Sequence, residues 1–300
     1  MPYTTLVSAE QLQQLLQQSH ANVRVFDCSF ALMQPHAGAR QFAEAHIPGA
    51  IFADLDAALS ARHGVPGSHG VLTAQGNDMP ASGGRHPLPN REKFAEWLSS
   101  VGMGNGMQAV VYDRNGTNYC GRLWWMLKWV GHENVAALDG GLQAWQAAGG
   151  AVNAGNEPGH FQTNFALGTE LAMLVNADRV SSQLGRSGQT LVDARAAPRF
   201  RGETEPLDPA AGHIPGALNR PFEQNFADDG KFKAASELKA DFDALLGQRD
   251  PASVTHYCGS GVSALANVLA MEIAGLGRTA LYAGSWSDWC ADANRPIAQG

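Results

Sequence analysis

One cysteine stands where reactive chemistry is easily built. In Val254-Thr-His-Tyr-Cys-Gly-Ser-Gly-Val-Ser-Ala-Leu265 an apolar run ends at Tyr257, Cys258 follows, and a glycine-rich turn opens a helical pattern that reaches about Ala274. The carboxyl end of a strand in an open α/β sheet is where ligands bind. No proline interrupts residues 259 to 263, so their backbone N–H groups can turn toward the Cys258 sulfur, and the helix dipole adds positive potential. Both effects favour thiolate over thiol. Most free cysteines are small buried hydrophobes; Gly259 and Gly261 tip this one toward a reactive group.

The rest of the chain has to position that sulfur. Its 300 residues suit two domains, and a formal charge of -7 without a basic run argues against nucleic-acid binding. The start, Met1-Pro-Tyr-Thr-Thr-Leu-Val-Ser, lacks a basic region followed by a sustained apolar core, and no apolar stretch is long enough to span a bilayer. A cytoplasmic protein without membrane association is expected. The cysteines at 28, 120, 258 and 290 form no Cys-x-x-Cys pair, so reduced thiols and no zinc site are expected.

The chain also repeats itself. His46-Ile-Pro-Gly-Ala50 recurs as His213-Ile-Pro-Gly-Ala217, preceded by Val25-Phe-Asp27 in one copy and Leu191-Val-Asp193 in the other. Ala109-Val-Val-Tyr-Asp113 aligns with the strand that ends at Cys258, which puts Asp113 at the cysteine position. Each copy alternates short apolar strands with helical patterns, the mark of an α/β fold with a mostly parallel sheet flanked by helices. Strands are expected near 23–28, 109–113 and 135–139, then near 190–194, 253–257 and 279–282. Helices are expected near 90–100, 119–130 and 142–148, then near 170–184, 236–247 and 262–275. A Gly/Asn/Pro-rich stretch at 151–168 reads as a linker between domains at 1–150 and 169–300. A glycine-broken loop over 57–85 departs from the symmetry, and its length marks it as mobile or functional.

The duplicated His-Ile-Pro-Gly-Ala, the Tyr-Cys-Gly-Ser-Gly-Val-Ser loop and the closing Gly284-Ser-Trp-Ser-Asp-Trp289 resemble the tandem rhodanese family of sulfurtransferases from Val23 to Trp289. The loop is similar to that of the 3-mercaptopyruvate type; thiosulfate-specific members carry basic residues there. The resemblance implies two tandem rhodanese-like domains, the second catalytic through Cys258 and the first not, since a carboxylate cannot carry sulfur as a persulfide. It implies a small-molecule sulfur donor, a thiol acceptor such as a thioredoxin-like protein or a low-molecular-weight thiol, or cyanide, and no cofactor beyond the persulfide.

The same resemblance assigns Ser260, His86 and Asp56 to a relay that stabilises and protonates the enolate of pyruvate. It makes Arg199 the group that takes the donor's carboxylate, a role suited to a guanidinium fork. From the residues alone, Ser260 in a tight turn would bond its own backbone and His86 would lie at the surface. Gly259, Gly261, Val262 and Ser263 complete the loop around the donor, and Trp286 is expected to wall its pocket. Trp124, Trp125 and Trp129 fit a core, and His46 and His213, present in both copies, fit a structural role. The family's second arginine is missing. In Thr204-Glu-Pro-Leu-Asp-Pro209 it is Asp208 that occupies its place, an anion expected to weaken an anionic donor or change its docking.

Three rivals remain. A cysteine phosphatase needs an arginine closing the loop, and Ser260 to Leu265 contain no cation. A non-enzymatic thiol sensor or partner-binding module would also fit a duplicated fold. Thiosulfate is the alternative donor; the uncharged loop offers that dianion dipoles but no countercharge.

Overall fold

A computed structural model describes residues 2–19, 22–34, 36–61 and 79–300. Most of the glycine-rich 57–85 segment, from 62 to 78, lies outside the described residues. The chain forms two compact units, the first from Met1–Ser60, Asn90–Leu171 and Asp228–Phe232, the second from Ala61–Pro89, Ala172–Ala227 and Lys233–Gly300. Residues 79–89, which precede the expected linker, therefore pack with the second unit. The linker itself lies on the first: Phe165 is buried, and Thr163 N–H donates to the Ser99 carbonyl at 3.0 Å.

The first unit runs β1 Leu6–Val7, α1 Ala9–Ser19, β2 Val23–Asp27, α2 Ala37–Glu44, β3 Ile51–Phe52, α3 Arg91–Ser100, β4 Gln108–Tyr112, α4 Cys120–Trp129, β5 Val135–Leu138 and α5 Gly141–Ala147. Its five strands are all parallel in the order β1-β5-β4-β2-β3. Helix α1 starts at Ser8, whose hydroxyl accepts from Gln11 N–H while the Gln11 side chain accepts from Ser8 N–H, a reciprocal cap. Helix α4 is buried on every side, which places Trp124, Trp125 and Trp129 in the core.

The second unit runs β6 Met173–Val175, α6 Ala177–Ser182, β7 Thr190–Asp193, α7 Ala197–Phe200, β8 Leu218–Asn219, α8 Ala235–Leu246, β9 Val254–Tyr257, α9 Ala264–Ile273, β10 Ala280–Tyr282 and α10 Ser285–Trp289. Its sheet, β6-β10-β9-β7-β8, is again parallel and repeats the first order strand for strand. The single helix expected over 170–184 is instead β6 followed by α6. Asn176 restarts the chain as an N-cap, its side chain accepting from Arg179 N–H at 2.9 Å, after Met173–Val175 has paired with β10.

The repeated pentapeptides make the same contacts twice. His46 stacks on Phe42 at 3.9 Å and its Nδ1 lies 2.7 Å from the Phe42 carbonyl; His213 stacks on Phe200 at 3.7 Å with Nδ1 2.8 Å from the Phe200 carbonyl. Ile47 N–H donates to the Tyr112 hydroxyl and Ile214 N–H to that of Tyr257. Each pentapeptide thus ties one strand end to the central strand of its own sheet.

Candidate active site

Cys258 follows β9 directly, and α9 begins six residues later, so the loop must turn within Gly259–Ser263. Gly261 makes the turn possible. Its φ of +74° is in the left-handed region, and a Cβ there would run into the Ala283 carbonyl. A second loop clamps the first: Cys258 N–H donates to Ser285 Oγ at 3.1 Å, Trp286 N–H to the Cys258 carbonyl at 3.0 Å, and Ser287 N–H to the Gly259 carbonyl at 2.9 Å. Ser285 holds this position at φ +56°, strained for a residue with a side chain, and its hydroxyl also donates to the Tyr282 carbonyl. The equivalent position of the first unit is Gly141, with φ +59°.

The sulfur is buried, which alone pushes its pKa up. The Ser263 hydroxyl and the backbone of Ser260, Ala264 and Val262 bond to it and outweigh burial, leaving the thiol below its ordinary range. The backbone groups on the sulfur come from alternate residues, 260, 262 and 264, rather than from the whole expected run 259–263. Ser263, expected at the donor, has its hydroxyl on the sulfur.

The first unit contains the same cradle with Asp113 in it. Asp113 Oδ1 accepts from Asn115 and Thr117 N–H at 2.8 and 3.1 Å, and Oδ2 from Tyr119 and Cys120 N–H, each at 2.8 Å. Counted from Cys258 and from Asp113, the second, fourth and sixth residues supply backbone groups in both loops.

Ser260 and His86 meet. Ser260 Oγ lies 2.8 Å from His86 Nδ1, and both residues are buried. The segment that brings His86 there is pinned by glycines: a Cβ on Gly83 would strike Asp288, one on Gly84 would strike the Gly284 carbonyl, and Arg85 N–H donates to Ser287 Oγ at 3.0 Å. Asp56 belongs to the first unit, in a turn where its N–H donates to Asp54 Oδ1 at 2.9 Å. Burial and the neighbouring Asp54 push its carboxyl pKa up.

Arg199 and a residue missed in the sequence share the far side of the loop. A Cβ on Gly259 would sit 3.2 Å from Arg85 Nη2 and 3.6 Å from Arg199 Nη1, so two guanidiniums converge on the residue next to the nucleophile. Behind them runs an alternating ion network. Arg195 chelates Asp193 and donates to Glu205 at 3.2 Å, Arg199 donates to Glu205 at 2.6 Å and to Asp208 at 3.4 Å, and Arg85 donates to Asp208 at 2.5 Å. Asp208, in the place of the second arginine, therefore does not stand as a bare anion but is paired with Arg85 and Arg199. The sequence signal for Arg85 was its place beside His86, combined with the displaced charge at 208.

Trp286 is 0 % exposed. It packs in the core, donates through Nε1 to the Ala210 carbonyl at 2.9 Å and carries the Arg195 guanidinium 4.6 Å above its ring. The expected pocket wall is thus a support for the ion network. Val262 is buried in the loop, and Arg201 pairs with Glu203 at the surface. Cys28 and Cys120 are buried thiols whose pKa values burial pushes up, as it does for Cys290. Among the described residues, no group of His, Cys, Asp and Glu could hold a metal ion, and no helix is long and apolar enough to cross a membrane.

Comparison with known proteins places this geometry. The family model described as rhodanese-like domain matches residues 8–148 and 176–292. A Pseudomonas aeruginosa protein named "Probable 3-mercaptopyruvate sulfurtransferase" is 43% identical, with 100% of each chain covered. The thiosulfate sulfurtransferase of Gallus gallus is 30% identical, over 95% of this chain and 92% of its own. Among solved structures, SseA from Escherichia coli, described as having the rhodanese fold of 3-mercaptopyruvate sulfotransferases, superposes with a TM-score of 0.75. It is 29% identical, over 95% of this chain and 99% of that one.

Proposed function

This chain belongs to the rhodanese-like family, and on that premise we propose that it is a sulfurtransferase carrying sulfur from 3-mercaptopyruvate through a Cys258 persulfide to a thiol or to cyanide. The observation that carries the reading is a buried cysteine whose pKa is drawn below its ordinary value by bonds from Ser263 and three backbone groups, with two guanidiniums converging beside it. The Cys258 thiolate attacks the donor's sulfur, the carbon–sulfur bond breaks, and its electron pair leaves as the enolate of pyruvate. The proton lost from the transferred sulfur ends on the enolate carbon, giving pyruvate and a Cys258 persulfide anion. The cradle that holds the thiolate suits that anion equally.

Ser260 and His86 bond each other within reach of the loop, an arrangement that can steady the enolate oxygen and pass the proton. Asp56 is assigned to the relay on the resemblance alone. Arg199 and Arg85 take the carboxylate. In the second step an acceptor thiolate, from a small thiol or a thioredoxin-like protein in the cytoplasm, attacks the outer sulfur and restores the Cys258 thiolate. No cofactor enters either step.

Turnover of mercaptopyruvate and thiosulfate at equal concentration, with Cys258→Ala as control, is the test. Mercaptopyruvate is expected to be preferred and Cys258→Ala inactive with both; preference for thiosulfate would overturn the donor assignment. His86→Ala is expected to slow mercaptopyruvate turnover by about 100-fold, the scale of general acid–base catalysis. Thiosulfate, whose leaving sulfite needs no enolate stabilisation, is expected to be affected much less.

A further inference from the structure

The ion network beneath the two guanidiniums holds more acid than two binding arginines require. Asp208 has no exposed side-chain surface, while Arg85 and Arg199 are each about one-fifth exposed above it. One Asp208 oxygen takes Arg85 Nη1 and the other takes Arg199 Nη2, so a single carboxylate fixes the spacing of both forks. Among the described residues no acceptor is bonded to Arg85 Nη2 or Arg199 Nη1, the two nitrogens that face Gly259.

The charges then cancel. The three cations Arg85, Arg199 and Arg195 are matched by the three anions Asp208, Glu205 and Asp193. A donor meets paired N–H groups without surplus positive charge. A planar carboxylate gains most from paired forks. A tetrahedral dianion such as thiosulfate depends more on net countercharge, which falls off with screening.

Resting on the sulfur-transfer reading, we infer that Asp208 is a specificity-determining positioning residue. It holds Arg85 and Arg199 as a pair and removes one charge from the site, selecting a monocarboxylate donor over thiosulfate. The structure thus keeps the forks of a two-arginine site while lowering its charge.

Asp208→Asn tests this, because the amide keeps the shape and an oxygen for Arg85 but drops the charge. The ratio of kcat/KM for thiosulfate to that for mercaptopyruvate is expected to rise about tenfold or more, with a steeper salt dependence for thiosulfate. An unchanged ratio, or equal losses with both donors, would overturn the inference. Wild-type protein inactive with both donors would instead defeat the sulfur-transfer reading itself. A second variant covers misfolding of the first. Arg85→Ala is expected to raise KM for mercaptopyruvate about tenfold or more with kcat within about threefold, and Arg85→Ala/Asp208→Arg, which moves the cation to position 208, is expected to recover most of that loss. No recovery would likewise count against the pairing.

Discussion

At the scale of single residues, Cys258 shows burial and hydrogen bonding in opposition. A buried thiol ordinarily resists ionisation, as Cys28 and Cys120 do, and Cys258 differs because hydroxyl and backbone donors bond its sulfur. A hydrogen bond to a charged group is worth about 1.5–3 kcal/mol. Ser263→Ala is therefore expected to move the midpoint of Cys258 alkylation upward by about one to two pH units, read from iodoacetamide rates against pH. The sign carries through to stability. A thiol whose folded pKa is depressed stabilises the fold above its unfolded value and loses that contribution as pH falls through the folded one, so wild type and variant are expected to differ more in alkali than in acid. An unchanged midpoint would show that the backbone groups alone hold the anion. Arg85 illustrates what spacing cannot convey: its partner Asp208 lies 123 residues away, and nothing local in Arg85-His-Pro-Leu-Pro89 gives the guanidinium's direction.

At the scale of elements, β9 carries a second buried titratable group. His256 is fully enclosed, Nε2 lies 3.2 Å from Met271 Sδ, and Nδ1 has no hydrogen-bond partner among the described residues. Burial, helped by the Arg220 charge, pushes its pKa down to about 3. The folded chain keeps the ring neutral while the unfolded chain protonates it below its ordinary value of 6.5, so stability falls with acid between those limits. Between pH 7.5 and 5.5, urea unfolding is expected to show about 1 kcal/mol more loss for wild type than for His256→Leu. Equal losses would place the ring in contact with solvent. Continuous apolar runs made β2, β4, β5, β7, β9 and β10 legible in the sequence, because strands buried on both faces leave that pattern. The edge strands β1, β3 and β8 have two residues each, too few to show a period. Strand β6 merged with the helical pattern after it, since only tertiary pairing with β10 separates the two.

At the scale of the whole molecule, two copies of one sheet order serve unequal ends. The first loop differs from the second by more than the thiol. The residues two and five places past Asp113 are Asn115 and Asn118, where the second loop has Ser260 and Ser263, and the segment carrying Arg85 and His86 packs in the second unit. Cys258→Ala/Asp113→Cys is accordingly expected to stay folded and to show no sulfur transfer from mercaptopyruvate; turnover above the Cys258→Ala background would mean that the cradle by itself suffices. The pairing of the copies was legible from the repeated pentapeptide and the Asp113–Cys258 alignment. The origin of His86 and Arg85 in the second unit was not, because compact units need not follow chain order.

The four N–H bonds to Asp113 have a further consequence. A carboxylate on a one-carbon tether behaves as a resident ligand, present at an effective concentration that a dissolved anion at ordinary concentration does not match. The first loop is therefore permanently occupied by its own chain. Only the second loop then holds a group that can take up sulfur, and cyanide-releasable sulfur is expected to saturate at one atom per chain.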